Sequence, residues 1–427
     1  MSFYNTEAAI SKDPIVGLVQ LAAKDNSPEK FTAIIGSAAN DEGKLIVPDI
    51  VNETVKELVA EGMNMSYAPS SGVKGLAELM ANEILGIKVR KEFDDARIYQ
   101  SSIVTCAGTN AISNTLLTCT TNQDKIISHN PHWAGYDSIM LALKRDLLVN
   151  FELLDSNNNF NIGAFENTIS QTLNKNPESK IVIILNTPFD NPLGKDFGDA
   201  TWKDIGLVLR KFEGKEILII LDTAYLDFGP EGKDYKRMSF LPRLFQSINN
   251  PNFNLVIAGT VSKSFAMYGA RVGVATLLSQ SEELSSRWSD TMGGTIRGTF
   301  SNTTHFSQLI VKKILETPKK LAYIHDFQEK TSALLNKRTK VFLEALETLK
   351  INEFSAIEPD GGFFVSLKFN DKAYARRFSE ELLASHFYAP LIADQFLRIP
   401  VCGLSEANLQ IAAGKLSVIN KETLAKI

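Results

Sequence analysis

Two uninterrupted apolar runs constrain the fold of this chain more than any other feature. Residues 181–185 and 217–221 contain only isoleucine, valine and leucine, and a helical pattern over residues 201–212 separates them. A strand with one face in water alternates apolar and polar residues, whereas a continuous apolar run is typical of a strand covered on both faces. Similar strand-like runs occur at residues 103–106, 125–128, 147–151, 255–258 and 272–277. Strands that alternate with helices predict an α/β fold with a mainly parallel sheet.

The pattern changes after about residue 310. A long helical stretch covers residues 334–349, and a strand-like segment over residues 361–367 is followed by further short helices and strands. The chain has 427 residues, 44% of them hydrophobic, which is enough for two cores. We expect an N-terminal arm with part of a small domain at residues 1–45, a large ligand-binding domain at 46–309 and a small C-terminal α+β domain at 310–427.

Composition argues against several classes of protein. The formal net charge is -4, which does not favour nucleic acid or an anionic membrane surface as a partner. The N-terminus has no basic segment followed by an apolar one, and no apolar run approaches the ~20 residues of a membrane span. The three cysteines have no C-x-x-C spacing and the five histidines are scattered, so we expect a cytoplasmic protein without a metal site.

One lysine has neighbours that suggest a cofactor. Lys263 follows the strand-like run at residues 255–258, Thr260 and Ser262 lie just before it, and Arg271 comes eight positions later. Hydroxyl groups and an arginine suit a phosphate, while a positioned lysine amine suits a Schiff base with an aldehyde. Pyridoxal 5'-phosphate (PLP) carries both groups. The alternative is a surface lysine on a glycine-rich loop, since short motifs often occur by chance.

Other polar residues also follow predicted strands. Gly108 and Thr109 open a helix after one strand, Asn191 follows a second, and Asp222 and Tyr225 follow a third. Ligands of open α/β sheets bind at the carboxyl ends of the strands, where a helix N-terminus also attracts phosphate. Each of these residues alone could be a helix cap or a turn residue. Together with Lys263 they predict one site.

The sequence resembles the aspartate/aromatic aminotransferases, class I enzymes of PLP fold type I. Three segments carry the resemblance besides the residues above: Asp-Pro-Ile-Val-Gly-Leu at 13–18, the stretch from Gly36 to Lys44, and Tyr-Ala-Pro-Ser-Ser-Gly at 67–72. The resemblance implies a seven-stranded sheet in the large domain and a homodimer with shared active sites. It also implies ping-pong transfer of an amino group from an L-amino acid, either aspartate or glutamate or an aromatic one, to a 2-oxo acid such as 2-oxoglutarate.

The same resemblance assigns roles to single residues. Lys263 would bind PLP covalently and move the proton, and Asp222 would pair with the pyridine nitrogen, which keeps the ring an electron sink. Asn191 and Tyr225 would bind the phenolate oxygen, and Trp133 would stack on the ring, although a core tryptophan is the alternative. The implied phosphate ligands are Gly108, Thr109, Thr260, Ser262, Arg271 and, from the neighbouring subunit, Tyr67, which is also counted with the catalytic groups.

The substrate side of the site is less regular. Arg398 would bind the substrate α-carboxylate, and Gly36 and Phe364, with Trp133 and Asn191, would line the pocket. Arg297, from the partner subunit, would bind the side-chain carboxylate of a dicarboxylic substrate. Several positions depart from the family pattern. Gly298 replaces a proline, Thr303-Thr304 replaces Pro-Pro, Ala107 and Thr260 each replace a serine, Tyr136 a histidine and Leu193 a threonine.

Three other functions compete with transamination. A PLP-dependent lyase could use the same fold, because fold does not determine reaction. A non-enzymatic PLP-binding regulator usually carries a DNA-binding domain, for which there is no room before Gly36. A nucleotide-binding α/β protein is disfavoured because no G-x-x-x-x-G-K-[ST] motif and no well-placed G-x-G-x-x-G motif are present.

Overall fold

The computed structural model describes residues 14–62, 64–230 and 238–426. Asp13, the first residue of the opening motif, lies outside them. The helices are α1 (Pro14–Lys24), α2 (Asp49–Ala60), α3 (Leu76–Leu85), α4 (Ile87–Asp95), α5 (Ala107–Cys119), α6 (Gly135–Ala142), α7 (Ile162–Lys175), α8 (Asp199–Arg210), α9 (Leu241–Ile248), α10 (Val261–Ser264), α11 (Glu282–Thr299), α12 (His305–Glu316), α13 (Pro318–Glu347), α14 (Lys372–Ala384) and α15 (Glu406–Ala425).

The strands form three sheets. They are β1 (Phe31–Thr32), β2 (Tyr99–Thr105), β3 (Ile126–Asn130), β4 (Val149–Glu152), β5 (Ile181–Asn186), β6 (Ile217–Asp222), β7 (Phe253–Thr260), β8 (Gly273–Ser279), β9 (Phe354–Ile357), β10 (Phe364–Phe369), β11 (Phe387–Tyr388), β12 (Leu391–Ile392) and β13 (Phe396–Pro400). The largest sheet has seven strands in the order β2-β8-β7-β6-β5-β3-β4. Strand β8 runs opposite to the other six strands of this sheet, which are parallel to one another, so the mainly parallel α/β fold is confirmed.

The central strands explain why their sequences are continuously apolar. Ile183 of β5 packs into the core beneath α7, α8 and α9, while its neighbour Ile184 packs into the core with α5, α6 and α11. Ile219 and Ile220 of β6 divide between the same two cores in the same way. Successive side chains of a strand point to opposite faces, so burial on both faces requires an apolar residue at every position.

A second, antiparallel sheet has the order β12-β13-β10-β9 and packs against α14 and α15. Strand β1 pairs in parallel with β11, which brings the chain just before Gly36 against this smaller α+β unit. The predicted helix at 334–349 is the C-terminal part of α13, which begins at Pro318. The predicted domain limits at residues 45 and 309 remain predictions. In the described ranges no helix is long and apolar enough to span a membrane.

Candidate active site

Three neighbouring strands end in polar residues at one edge of the large sheet. The register pairs Asn186 with Asp222 across β5 and β6, and Asp222 with Ala258 across β6 and β7. Asn186 Nδ2 donates to the Asp222 carbonyl at 2.8 Å, and Asn191 N–H donates to Asn186 Oδ1 at 2.7 Å. The register and these two bonds fix the relative positions of the segments that follow the strands. Sequence reasoning missed Asn186, although a polar residue that ends an apolar run is a usable signal.

Asp222 is a buried carboxylate with one strong side-chain partner. It is 5% exposed, and Tyr136 Oη donates to its Oδ2 at 2.9 Å. Burial raises the pKa of Asp222, while the hydrogen bond from Tyr136 and the positive charge of Lys263 lower it. A buried carboxylate of this kind is stabilised when a cationic ring nitrogen binds beside it.

Lys263 lies on the short helix α10, directly after β7. Its Nζ is 5.5 Å from the centroid of the Tyr225 ring. Loss of hydration lowers the pKa of this lysine most, the negative charge of Asp222 opposes that effect, and the positive charge of Arg271 adds to it. An amine with a lowered pKa is neutral in a larger fraction of molecules, which is the form that attacks an aldehyde and accepts a proton.

Arg398 joins the smaller sheet to this edge. It lies on β13, is 3% exposed, and its Nη1 donates to Asn191 Oδ1 at 3.1 Å. Asn191 Nδ2 in turn donates to Tyr225 Oη at 3.2 Å. The Arg398 guanidinium also lies over the ring of Phe364, 4.3 Å from its centroid. The predicted substrate and cofactor residues Arg398, Asn191 and Tyr225 thus form one hydrogen-bonded chain.

Gly36 allows the backbone to lie close to the ring of Phe364, which packs against Arg398. A Cβ added at Gly36 would lie 2.5 Å from Cζ of Phe364, much closer than any normal contact. The Arg398 Nη2 donates to the nearby Ile34 carbonyl at 2.6 Å. Gly36 and Phe364 therefore lie beside Arg398, where the sequence places the substrate pocket.

A cluster of hydroxyl, guanidinium and backbone donors lies beside Lys263. Thr260 Oγ1 and Ser262 Oγ are 2.9 Å apart, and Arg271 Nη1 reaches Ser262 Oγ at 3.5 Å and the Tyr268 carbonyl at 2.9 Å. A Cβ at Gly108 would lie 3.6 Å from the Thr260 side chain, so the first turn of α5, with Thr109, faces this cluster. Helix N-terminal amides and an arginine favour an anion such as phosphate.

Trp133 is half-buried and meets Tyr136 edge to face, with centroids 5.4 Å apart. A Cβ at Gly135 would lie 2.2 Å from the Trp133 ring, so a residue without a side chain is needed there. The tryptophan is therefore not a fully enclosed core residue and presents part of its surface to solvent.

Two predicted site residues are not brought to this centre within the chain. Tyr67 is 88% exposed, and Arg297 is an exposed residue near the end of α11 whose Nη1 donates to Ser301 Oγ at 2.5 Å. Both belong to neighbouring segments, because Asn302 Nδ2 donates to the Ala68 carbonyl at 2.7 Å. Both side chains are exposed, as is expected of residues that act in a partner's site.

Two further residues fix segments of the site, and sequence reasoning missed both. Asp190 is fully buried and accepts hydrogen bonds from the backbone of Leu193 and Lys195, which shapes the turn that carries Asn191. Burial raises the pKa of Asp190 to about 7. Tyr268 Oη accepts the Ala38 N–H at 2.8 Å and so fixes the segment after Gly36. Among the described residues, no group of three or more His, Cys, Asp or Glu is placed to hold a metal ion.

Comparison with known proteins identifies the family. The model of the family "Aminotransferase class I and II" matches residues 35–416. The chain belongs to this family. The mitochondrial aspartate aminotransferase of Dictyostelium discoideum is 22% identical over 96% of this chain and 92% of its own length.

Solved structures share the fold of this aminotransferase along nearly its whole length. An aminotransferase from Anaerococcus prevotii has a TM-score of 0.82 and 23% identity, and the match covers 98% of this chain and 99% of that one. The aromatic-amino-acid aminotransferase of Burkholderia pseudomallei, solved covalently bound to pyridoxal phosphate, has a TM-score of 0.78 and 23% identity over 98% and 100% of the two chains. The fold type I architecture is confirmed.

The residues of this aminotransferase fit PLP, the cofactor on which the family depends. The amine of Lys263, the buried carboxylate of Asp222 and the donor cluster beside them match the aldehyde, the ring nitrogen and the phosphate of that molecule. The chain is a PLP-dependent transaminase, and its substrates are an amino acid and a 2-oxo acid.

Proposed function

We propose that this aminotransferase transfers the amino group of aspartate, glutamate or an aromatic L-amino acid to a 2-oxo acid such as 2-oxoglutarate. The observation that carries the proposal is the convergence of Lys263, Asp222 and Arg398 at the carboxyl ends of the strands of the large sheet. These groups supply an amine, a ring-nitrogen partner and a carboxylate clamp. The names of the relatives, aspartate and aromatic-amino-acid aminotransferases, support the two substrate classes.

Each side chain has a separate task in the proposed reaction. PLP, when bound, supplies an electron sink for the negative charge that forms at the substrate Cα. With the cofactor bound, Asp222 would keep the ring nitrogen protonated, and Asn191 and Tyr225 would donate to the phenolate oxygen. Lys263 Nζ would be the base that takes the proton from the substrate Cα and the acid that returns it. Trp133 would cover one face of the ring.

Arg398 orients the substrate. Its guanidinium presents a planar fork of N–H groups, which matches the two oxygens of an α-carboxylate. Asn191, the Ile34 carbonyl and the Phe364 ring already hold the guanidinium in place. Little side-chain entropy is then lost when the substrate binds, so more of the interaction energy contributes to affinity.

Replacement of the lysine tests the assignment. We expect Lys263→Ala to lose at least about 1,000-fold in kcat, because general acid–base catalysis and covalent cofactor binding are both removed. Borohydride reduction of the wild-type enzyme followed by peptide mapping should place the coenzyme on Lys263. The exposed lysine variant Lys340→Ala is the control and should keep full turnover. A label on another lysine would overturn the assignment.

Arg297 is proposed to select dicarboxylic substrates in the partner's site. Arg297 is exposed, and its one hydrogen bond to a described side chain is to the Ser301 hydroxyl, so its guanidinium is available to a neighbouring subunit. We expect Arg297→Gln to raise KM for aspartate about tenfold or more, since a charge-assisted hydrogen bond is lost. Phenylalanine, which lacks the second carboxylate, is the internal control. An equal effect on both substrates would refute this role.

The shared active site requires a homodimer, in which Tyr67 binds the phosphate held by the other subunit. The 88% exposure of Tyr67 and its loop beside residues 300–307 support this arrangement. We expect that mixing inactive Lys263→Ala chains with impaired Tyr67→Phe chains restores activity to about a quarter of the sites. Random pairing makes about half of the dimers mixed, and each mixed dimer has one site with an intact Lys263 and an intact Tyr67 from its partner. No gain on mixing would show that Tyr67 acts within its own chain.

A requirement for an acceptor separates transamination from elimination. We expect amino acid turnover to stop after one equivalent when no 2-oxo acid is added, whereas a lyase continues to release product.

The cytoplasmic location and the absence of nucleic acid or membrane partners remain predictions.

A further inference from the structure

A cavity of about 360 Å³ lies at the end of the large sheet opposite to Lys263. Its floor is formed by the first residues of β6 and by Asn254, the second residue of β7. Lys263 follows the other end of β7, so at ~3.3 Å per residue the cavity is roughly 20 Å from the active site. The volume falls within the range of small-molecule sites, roughly 300–1,000 Å³.

The cavity has a mainly apolar wall. Ile217 and Leu218 come from β6, Leu277 from β8, and Leu284 and Trp288 from α11. Trp288 is 5% exposed, and its Nε1 donates to the Ala275 carbonyl at 3.4 Å, which holds the indole in position. Trp288 and its branched aliphatic neighbours form a rigid apolar wall, which favours an apolar ligand.

Two cations line the cavity, and their ion pairs differ in length and exposure. Lys180 Nζ forms an ion pair with Glu216 at 2.6 Å. Arg287 is 74% exposed, and its one ion pair among the described residues is a 3.4 Å contact with the equally exposed Glu283. Such a surface ion pair contributes little to stability and is easily broken. The Arg287 guanidinium therefore remains able to bind a ligand carboxylate.

The floor contains an unmatched acceptor. Asn254 Oδ1 is buried and has no hydrogen-bond partner among the described residues. A buried acceptor without a partner costs free energy, and rotation of the side chain would present it to a donor in the cavity. An N–H or O–H group on the ligand would remove that cost.

We propose that this cavity binds a small aromatic carboxylic acid that carries an N–H or O–H donor. The ring lies against Trp288 and the leucines, the carboxylate pairs with Arg287, and the donor reaches Asn254. Neither the cavity nor its ligand depends on the transamination chemistry, so this inference stands or falls separately from the proposed function.

Calorimetric titration of the PLP-loaded enzyme with indole-3-acetate tests the site. This probe has an aromatic ring, an N–H donor and a carboxylate. We expect saturable binding with one site per chain. Arg287→Gln, which keeps the cavity volume but removes the charge, should weaken binding about tenfold. Thr291→Trp, which places a large ring at the cavity from an exposed position of α11, should abolish binding.

The control is Arg210→Gln, because Arg210 is exposed at the end of α8, on the opposite face of the sheet. It should bind the probe as the wild type does, and all three variants should keep the wild-type unfolding midpoint and turnover. Absence of saturable binding, or binding that Arg287→Gln and Thr291→Trp leave unchanged, would overturn the proposal. The second result would place the probe elsewhere, including the active site.

Discussion

At the scale of single residues, Tyr136 sets the environment of Asp222, the carboxylate proposed to pair with the ring nitrogen. Its hydroxyl donates to Asp222 at 2.9 Å, and both side chains are buried. Burial and the negative charge of Asp222 raise the pKa of Tyr136 well above its usual value, so the phenol stays a neutral donor throughout the physiological range. A histidine at this position would change its charge near neutral pH. The tyrosine therefore gives Asp222 a partner that does not titrate.

We expect Tyr136→Phe to weaken PLP binding and to lower kcat, each by roughly 10- to 100-fold, because a hydrogen bond to a charged group contributes about 1.5–3 kcal/mol. The PLP dissociation constant, measured by equilibrium dialysis, and the kcat for aspartate provide the readouts. Tyr374→Phe is the matched control, since the Tyr374 hydroxyl donates to Asn420 at 2.7 Å within the smaller unit. That variant should lose stability without a change in PLP affinity. Equal PLP affinity of Tyr136→Phe and the wild type would contradict the prediction.

At the scale of elements, local sequence predicted the strands of the large sheet but not their order. The apolar runs at 181–185 and 217–221 became β5 and β6, because strands buried on both faces leave a strong local signal. That β8 lies between β2 and β7, antiparallel to both, depends on contacts between residues far apart in the chain. Helix α1 was not predicted, since the weak pattern of the first 45 residues gives no strong helix signal.

The site residues show the same division between local sequence signals and contacts between distant residues. Lys263, Asp222 and Asn191 could be predicted because each follows a strand whose end defines the binding edge. Asp190 and Tyr268 support their neighbours through contacts across turns that no short pattern reveals. For Tyr67 and Arg297 the sequence predicted a role in a second subunit, which the geometry of one chain does not test.

The packing of α5 on the sheet depends on one glycine, Gly273 at the start of β8. A Cβ there would lie 2.5 Å from the backbone of Ala107 and 2.7 Å from the Gly259 carbonyl oxygen, and backbone atoms cannot turn aside as a side chain does. We expect Gly273→Ala to cost about 3 kcal/mol of unfolding free energy and to weaken PLP binding, because the first turn of α5 must shift. Urea unfolding and PLP titration measure the two effects.

Gly414→Ala is the control for this substitution. Gly414 lies in α15 with no atom within 4 Å of an added Cβ, so alanine should be neutral or slightly stabilising there. If Gly273→Ala unfolded at the same urea concentration as Gly414→Ala, the close approach of α5 to β8 would not be needed for stability.

At the scale of the whole molecule, the active site lies where two sheets meet. Arg398 belongs to the small antiparallel sheet, and its partner Asn191 follows a strand of the large one. Arg338 of α13 strengthens this junction from the other side: it is fully buried and donates to the carbonyls of Ala39 and Cys402. The position of Arg398 relative to Asn191 is therefore a property of the complete fold.

The stability of the complete fold should fall in mild acid because of one buried histidine on β3. His129 is 1% exposed, and burial, with the charge of His132, lowers its pKa to about 3. The unfolded chain binds this proton near pH 6.5. Protons therefore bind preferentially to the unfolded state between about pH 6.5 and pH 3, and the stability contributed by neutral His129 is lost as the pH falls through that window.

We expect the unfolding free energy to fall by about 2 kcal/mol between pH 7 and pH 5 through this group alone, at ~1.4 kcal/mol per pH unit below 6.5. His129→Asn should remove that part of the slope, since its amide can still donate to the Pro131 carbonyl that His129 Nδ1 contacts at 2.7 Å. Urea unfolding at several pH values measures the slope, and His305→Asn controls for the loss of an imidazole. A slope in His129→Asn equal to that of the wild type would mean that other groups cause the acid sensitivity.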